Sequence, residues 1–267
     1  MAVVHAVGTF TVTAASAAQI TEAVTWSDAG THTPQVALFF SVEGGTGAAR
    51  GFVGMSDGTN EFAHAIWCSD NVTTADAAAR TTQSGCLLET DSTGAESGLF
   101  TVTSFGSNQI VLDAVAANAF GATNTVGYVA FAGYDNAVVL LKTVKASAGA
   151  DPVTGAGFQP TAVLCSIGGV TLDAAQPTSG QLQLGWAAAG AQASAVLCTR
   201  GTGTTNYSWS ALSTAAIMVR LSPTTGAFLD ASSFTQFDAD GFTLNKDTHD
   251  AAYQYGALCL KGGVPVA

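Results

Sequence analysis

The sequence predicts an all-β protein built from two tandem β-sandwich units, jelly-roll-like and related by internal duplication. Three observations lead to this fold class. Short runs of β-branched and aromatic residues alternate with turns of Gly, Asn, Asp and Ser. No segment carries a helical apolar stripe with caps at both ends. Several motifs also recur in the same order when the 267-residue chain is slid along itself by about half its length.

The duplication rests on six pairs of segments whose offset stays between 126 and 132 residues. Six collinear matches are hard to obtain by chance, whereas a single match would carry no weight. The pairs are Pro34–Leu38 with Pro160–Leu164, Gly54–Met55 with Gly185–Trp186, Ala65–Ser69 with Ala195–Thr199, Cys86–Glu89 with Ile217–Arg220, Phe105–Asp113 with Phe237–Asn245, and Tyr128–Phe131 with Tyr255–Leu258. They place the first unit at residues 1–135 and the second unit at residues 136–267.

The individual elements have the patterns of strands and turns. Thr9–Thr13 and Thr101–Thr103 alternate between polar and apolar residues, which is typical of a half-buried strand. Val36–Val42 is almost continuously apolar and predicts a central, buried strand. Asp238–Gly241 predicts a tight turn between two strands. Thr73–Arg80 is the exception, because its alanines fit either one short helix or an extended loop.

The two units differ in charge. Residues 1–135 carry two arginines against twelve acidic residues, and residues 136–267 carry six basic residues against seven acidic ones. The net charge of −11 argues against a nucleic-acid interface, which needs a basic surface, and against binding to anionic membranes. No Pro- or Ser-rich linker separates the units near Gly133–Asn136, so we expect them to pack directly against each other.

Charged residues make up only 10% of the chain, against roughly 25% in typical proteins. A surface with so few charges has little protection against association, so we expect much of it to be covered by other subunits. The N-terminus lacks the features of a signal peptide and no apolar run approaches a membrane span, which predicts folding in a cytoplasm. The five cysteines lie in apolar runs without ligand spacing, which favours buried, reduced thiols.

Two motifs imitate catalytic or metal-binding chemistry. Gly54–Gly58 matches the G-x-S-x-G motif of hydrolases, in which His64 would act as the base for Ser56. A strand-like segment follows this motif in place of a helix, so we interpret it as a hairpin turn and His64 as a packed or interface side chain. Asp238 and Asp240 resemble a fragment of a calcium loop but lack its other ligands. We therefore predict no catalytic residue, no metal site and no cofactor.

Four aromatic residues lie beside polar, loop-like segments and are the candidate contact residues. Aromatic rings anchor protein interfaces, and they also stack on sugars. The charge-poor surface favours the protein interface over the glycan. The four candidates are Trp26, Tyr207, Trp209 and Tyr253.

The second unit begins with Gly157–Leu164 and ends with Phe237–Leu244 and Tyr255–Leu258. These segments resemble a class of tailed-bacteriophage virion proteins, whose β-sandwich modules occur in tail, fibre or capsid-associated proteins. The first unit keeps the same frame with other residues, such as Thr33–Val36 in place of the opening segment. The resemblance implies a structural role and carries no catalytic residues.

We therefore expect a non-enzymatic virion structural protein that assembles on the capsid, as a decoration or cement protein, or on the tail. It would form homo-oligomers, as a trimer or ring, and contact other virion proteins but neither nucleic acid nor a membrane. The near-neutral second unit would dock on other subunits, and the acidic first unit would face solvent. The protein would reside in the virion after synthesis in the host cytoplasm. The alternatives are a receptor- or glycan-binding module of a tail fibre, and a hydrolase using Ser56 and His64.

Overall fold

β-strands joined by turns and loops make up the part of the chain that the computed structural model describes, namely residues 3–13, 19–45, 48–69, 77–115, 120, 123–170, 172–174, 178–202, 205–248 and 253–262. The all-β fold class is confirmed, and none of the described segments is a helix that could span a membrane. The first ten strands are β1 (Val4–Val12), β2 (Ile20–Ala23), β3 (Val36–Gly45), β4 (Ala48–Ser56), β5 (Glu61–Ser69), β6 (Ala77–Thr82), β7 (Leu87–Thr90), β8 (Glu96–Gly106), β9 (Gln109–Ala114) and β10 (Asn124–Ala132). The next ten are β11 (Asn136–Thr143), β12 (Gly149–Thr154), β13 (Ala162–Ile167), β14 (Ser179–Ala188), β15 (Ala191–Thr202), β16 (Thr205–Ser213), β17 (Met218–Leu221), β18 (Phe228–Asp238), β19 (Gly241–Thr248) and β20 (Gln254–Lys261).

The strands form a six-stranded and a four-stranded antiparallel sheet in each half of the chain. In the first half the orders are β1-β10-β3-β4-β5-β6 and β2-β9-β8-β7. The second half has the same orders with every strand number raised by ten, β11-β20-β13-β14-β15-β16 and β12-β19-β18-β17. The nested pairs, β1 with β10 and β2 with β9, are those of a rolled-up ribbon of strands, as in a jelly roll. The meander β3 to β6 is added to this pattern.

Local backbone features also recur in the two halves. Any side chain at Gly54 in β4 would overlap with the carbonyl oxygen of Cys86, and any side chain at Gly185 in β14 would overlap with that of Ile217. Both positions therefore need glycine, because the opposite sheet approaches the strand too closely for a Cβ atom. β8 and β18 also carry a bulge at equivalent places. The origin of this shared frame by duplication stays an interpretation of the sequence.

Each half has its own core between its two sheets. The core of the first unit is rich in aromatic residues, and five of them are Phe10, Phe39, Phe52, Phe100 and Phe120. The core of the second unit has fewer aromatic rings, such as Phe242 and Tyr255. Smaller side chains, such as Val163, Cys165 and Ile217, fill much of the rest.

A third apolar cluster joins the two units. The outer faces of the two six-stranded sheets pack against each other, with residues of β3, β4 and β5 on one side and residues of β11, β13, β14 and β20 on the other. The two units are thus in direct contact. The buried side chains of this cluster are Val36, Leu38, Val53, Met55, Phe62, Val139, Leu258 and Leu260.

Thr73–Arg80 differs from the sequence-based expectation. The part from Ala77 onward is strand β6, so the prediction of a short helix or an extended loop is wrong for these residues. Residues 73–76 lie outside the described residues. β6 pairs with β5 at the edge of the first six-stranded sheet, and β14 of the second unit covers it. Ala77–Ala79 are fully buried, so tertiary packing of small side chains overrides the helical preference of alanine.

Candidate interaction surface

An apolar groove opens where the contact between the two six-stranded sheets ends. β3 and β4 form one side, and β14, β15 and β16 form the other. Its volume is about 560 Å³, and it is lined by Val42, Val53, Leu182, Gln183, Leu184, Ala195, Val196, Leu197, Ser210, Ala211 and Leu212. None of these lining residues is charged. We call this surface the apolar groove.

Three large aliphatic side chains of the groove are exposed to solvent. Leu212 on the edge strand β16 is 84% exposed, Val42 on β3 is 78% exposed, and Leu197 on β15 is 39% exposed. Single exposed apolar residues are ordinary, but a contiguous group of them around a concave surface marks an interaction site.

The groove exists because β14 has its polar side chains inside and its leucines outside. Gln183 is 1% exposed, donates from Nε2 to the carbonyl oxygen of Ile217 at 2.8 Å, and accepts from the backbone N–H of Ile167 at 3.1 Å. Since neighbouring residues of a strand point to opposite faces, Leu182 and Leu184 lie on the outer face. The glutamine amide is satisfied inside the sandwich, so the groove floor is left apolar.

The apolar face continues along the first six-stranded sheet beside the groove. Phe40 is 42% exposed and lies two residues before Val42 on the same face of β3. Its ring lies over Gly127, where a Cβ atom would meet it. Val7 on β1 is 66% exposed on the neighbouring part of this sheet. The exposed apolar surface is therefore wider than the groove itself.

The four predicted contact residues do not form one site. Trp26 is only 3% exposed, and its Nε1 donates to Asn108 Oδ1 at 3.0 Å, so the expectation of an exposed ring is wrong there. The physical reason is that Trp26 fills the first core while its single donor is satisfied internally. Trp209 is half-buried on β16 and packs against an apolar cluster within its own unit. Tyr253 is half-buried, with the Arg220 guanidinium 4.3 Å from its ring centroid. Tyr207 lies on β16, and its side chain is outside the described residues.

Ser56 and His64 do not form a catalytic pair. The Ser56 hydroxyl is buried, donates to Glu61 Oε1 at 3.2 Å, and accepts from the Gly58 backbone N–H at 3.0 Å. These are the contacts of a turn between β4 and β5. Burial raises the pKa of Glu61, and hydrogen bonds from neighbouring groups, including the backbone N–H of Val102, oppose that rise.

His64 joins the two units. It is fully buried on β5, with Nδ1 2.9 Å from Thr81 Oγ1 and Nε2 hydrogen bonded to the backbone carbonyl oxygen of Gln181 in the second unit. Because a carbonyl only accepts, Nε2 carries the hydrogen of the neutral ring. Burial lowers the pKa of His64 to about 4, while the hydrogen bond to Gln181 acts in the opposite direction. The prediction of a packed or interface side chain is confirmed.

Asp238 and Asp240 lie at the predicted turn between β18 and β19, and their carboxylates bind protein groups. Asp240 accepts from the backbone N–H groups of Gly155 and Gly157, and Asp238 Oδ2 accepts from the Thr243 hydroxyl at 2.6 Å. No group of three or more His, Cys, Asp or Glu side chains in the described part of the chain could hold a metal ion.

The cysteines are free thiols. Four are buried, as the apolar runs around them predict, whereas Cys68 is half-buried. Burial raises the pKa of Cys198 to about 11 and that of Cys259 to about 12, so these two thiols stay protonated at neutral pH.

Reasoning from the sequence missed the apolar groove. The signal was present in Gln181–Leu184, where two glutamines alternate with two leucines. The usual interpretation places the leucines in the core and the glutamines in solvent, whereas Gln181 is 3% exposed and Gln183 is 1% exposed. Only the partner strands show that the glutamine face is the inner one.

The chain matches no protein-family model, and a search of curated proteins finds no significant similarity.

Proposed function

We propose that the protein is a non-enzymatic structural subunit of a larger assembly, and that it associates through its exposed apolar surface. The observation that carries this proposal is the apolar groove, whose rim exposes Leu212 and Val42. Burial of apolar surface contributes about 25 cal/mol per Å² and is the main driving force of association. A groove without acid, base or charged side chains in its lining suits a protein partner better than a chemical reaction.

The assembly that we propose is the virion of a tailed bacteriophage. The support is the resemblance of Gly157–Leu164 and Phe237–Leu244 to β-sandwich modules of such virions. The protein would decorate or cement the capsid, or belong to the tail, through contacts between its own copies and with other virion proteins. Most groove residues belong to the near-neutral second unit, which fits the expectation that this unit docks while the acidic first unit faces solvent.

A receptor- or glycan-binding role in a tail fibre has less support. A glycan site of the kind considered needs exposed rings beside polar groups. Trp26 is buried in the first unit, while Trp209 and Tyr253 are half-buried in the second. Glycan arrays would test this role directly, and saturable binding to a host polysaccharide would favour it over the structural role.

The experiment that tests the structural role is the solution mass of the purified chain by light scattering, with and without purified capsids or tails. We expect a stable oligomer, or saturable binding to one of the two particles, which would also decide between head and tail. A monomer that binds neither particle would contradict the proposal. A second arm reverses the charge of exposed acidic residues of the first unit, and we expect assembly to survive this change.

A further inference from the structure

The apolar groove continues an interface that the chain already forms within itself. Val53, Leu182 and Leu184 belong both to the groove lining and to the apolar cluster between the two six-stranded sheets. In that cluster, the outer faces of two sheets with the same strand order pack against each other. The groove is the part of this sheet-on-sheet surface that the other unit leaves uncovered. The partner that matches it is therefore the outer face of another sheet of the same fold.

The charge distribution also suits a second copy. The chain has a net charge of −11, so two copies repel each other wherever their acidic surfaces meet. The groove lining carries no charged residue, so two copies can meet there without burying a carboxylate.

The groove contains both projecting and receiving elements. Leu212 projects from the edge strand of the second six-stranded sheet and Val42 from the first sheet, and a hollow of about 560 Å³ lies among the lining residues. A two-fold contact requires one surface to complement itself, so that if residue i contacts residue j, then j contacts i. A projecting leucine and a hollow on one apolar surface meet that requirement.

We infer that the groove binds the same groove of a second copy in a two-fold contact, with Leu212 of each chain seated in the partner's groove against Val42. This inference rests on the proposed structural function and names its contact surface. A stable interface buries about 800 Å² per partner, so the contact also covers Phe40 beside the groove. The product is a dimer, in place of the trimer or ring that the sequence suggested.

The first test introduces a charge at the centre of the contact. Leu212→Asp should weaken dimerisation at least tenfold, which is about 1.4 kcal/mol, as measured by sedimentation or light scattering over a concentration series. The matched control is Phe228→Asp on β18, because Phe228 is 51% exposed but belongs to the four-stranded sheet of the second unit. Circular dichroism and thermal unfolding establish that both variants are folded. A dimer that survives Leu212→Asp, or is weakened equally by Phe228→Asp, overturns the inference.

The second test detects the contact directly by crosslinking and does not depend on weakening the dimer. A Leu212→Cys chain is mixed with a Val42→Cys chain, both in a Cys68→Ser background that removes the half-buried native thiol. Mild oxidation should give the crosslinked heterodimer, and a mixture of Leu212→Cys with Phe228→Cys should not. Equal crosslinking in both mixtures overturns the inference. A wild-type chain that is monomeric yet binds capsids or tails also overturns it, and leaves the proposed structural function standing.

Discussion

The two units have the same strand order but place their polar residues differently. The first unit has an aromatic core, and the outer face of its β4 and β5 is buried against the second unit. The second unit buries Gln181 and Gln183 together with the ion pairs of Asp230 with Arg220 at 2.7 Å and with Lys246 at 3.0 Å. Its leucines on β14 to β16 face outward. In the second unit the frame buries the glutamines of β14 on its inner face and presents the leucines of the same strand on its outer face for binding.

The largest expected effect concerns the buried ion cluster of the second unit. Asp230→Ala leaves Arg220 and Lys246 buried without the carboxylate that they share, which should cost about 3–5 kcal/mol of unfolding free energy. The matched change in the first unit is Glu89→Ala. It leaves Arg50, whose side chain is 32% exposed and can turn to water, so its cost should be about 1 kcal/mol. Denaturant unfolding measures both, and equal losses would contradict the difference between the units.

Two glycines should instead behave alike in the two units. Gly54→Ala and Gly185→Ala each force a Cβ atom onto a backbone carbonyl oxygen, and each should cost about 3 kcal/mol. Gly190→Ala is the control, because Gly190 has open space around it and only its φ of +75° opposes a side chain, at about 1 kcal/mol. Denaturant unfolding again gives the values. A cost in only one of the two units would show that their frames differ at this point.

The contact between the units should weaken in acid. The pKa of His64 is about 4 in the folded protein and about 6.5 when unfolded, so the unfolded chain binds the proton first as the pH falls. Stability is fully present above pH 6.5 and declines between about pH 6.5 and 4, by about 3 kcal/mol in total. His64→Gln should remove this part of the pH dependence.

Glu61 acts in the opposite direction, because its raised pKa makes its contribution decline as the pH rises above its usual value of 4.5. The wild type and the His64→Gln variant share Glu61, so the difference between their stability curves isolates His64. Parallel curves for the two proteins between pH 4 and 6.5 would refute the assignment.

The smallest expected effect is that of Ser56→Ala. It removes hydrogen bonds to Glu61 and from the Gly58 backbone, at a cost of about 1 kcal/mol. Because Ser56 is fully buried and its hydroxyl donates to the Glu61 carboxylate in the turn, a fluorophosphonate probe should not reach or label it in the folded protein. Mass spectrometry after incubation measures this, and modification at Ser56 would revive the hydrolase hypothesis.

The tight turn at Asp238–Gly241, the strand over Val36–Val42 and the burial of four of the five thiols followed from local patterns, because each depends on neighbours in the chain. The expectation that this strand is buried throughout was wrong at Phe40 and Val42, which are exposed on its outer face. The burial of Trp26 and of the glutamines of β14 could not be predicted from local patterns. Their burial depends on which donors and acceptors other strands bring to them, such as Asn108 for Trp26, 82 residues away. A polar residue can be buried wherever such partners exist, and the partners lie far apart in the sequence.

The sequence by itself determined the all-β class, the order in which turn residues separate the strands, and the charge of each half. Strand periodicity, turn residues and charge are local properties. The tertiary structure decided which face of each strand is inside, that His64 joins the two units, and that an apolar groove remains open between them. The physical reason is that a strand has two faces of equal geometry. Only the hydrogen-bond partners and the packing of the opposite sheet select which face is buried.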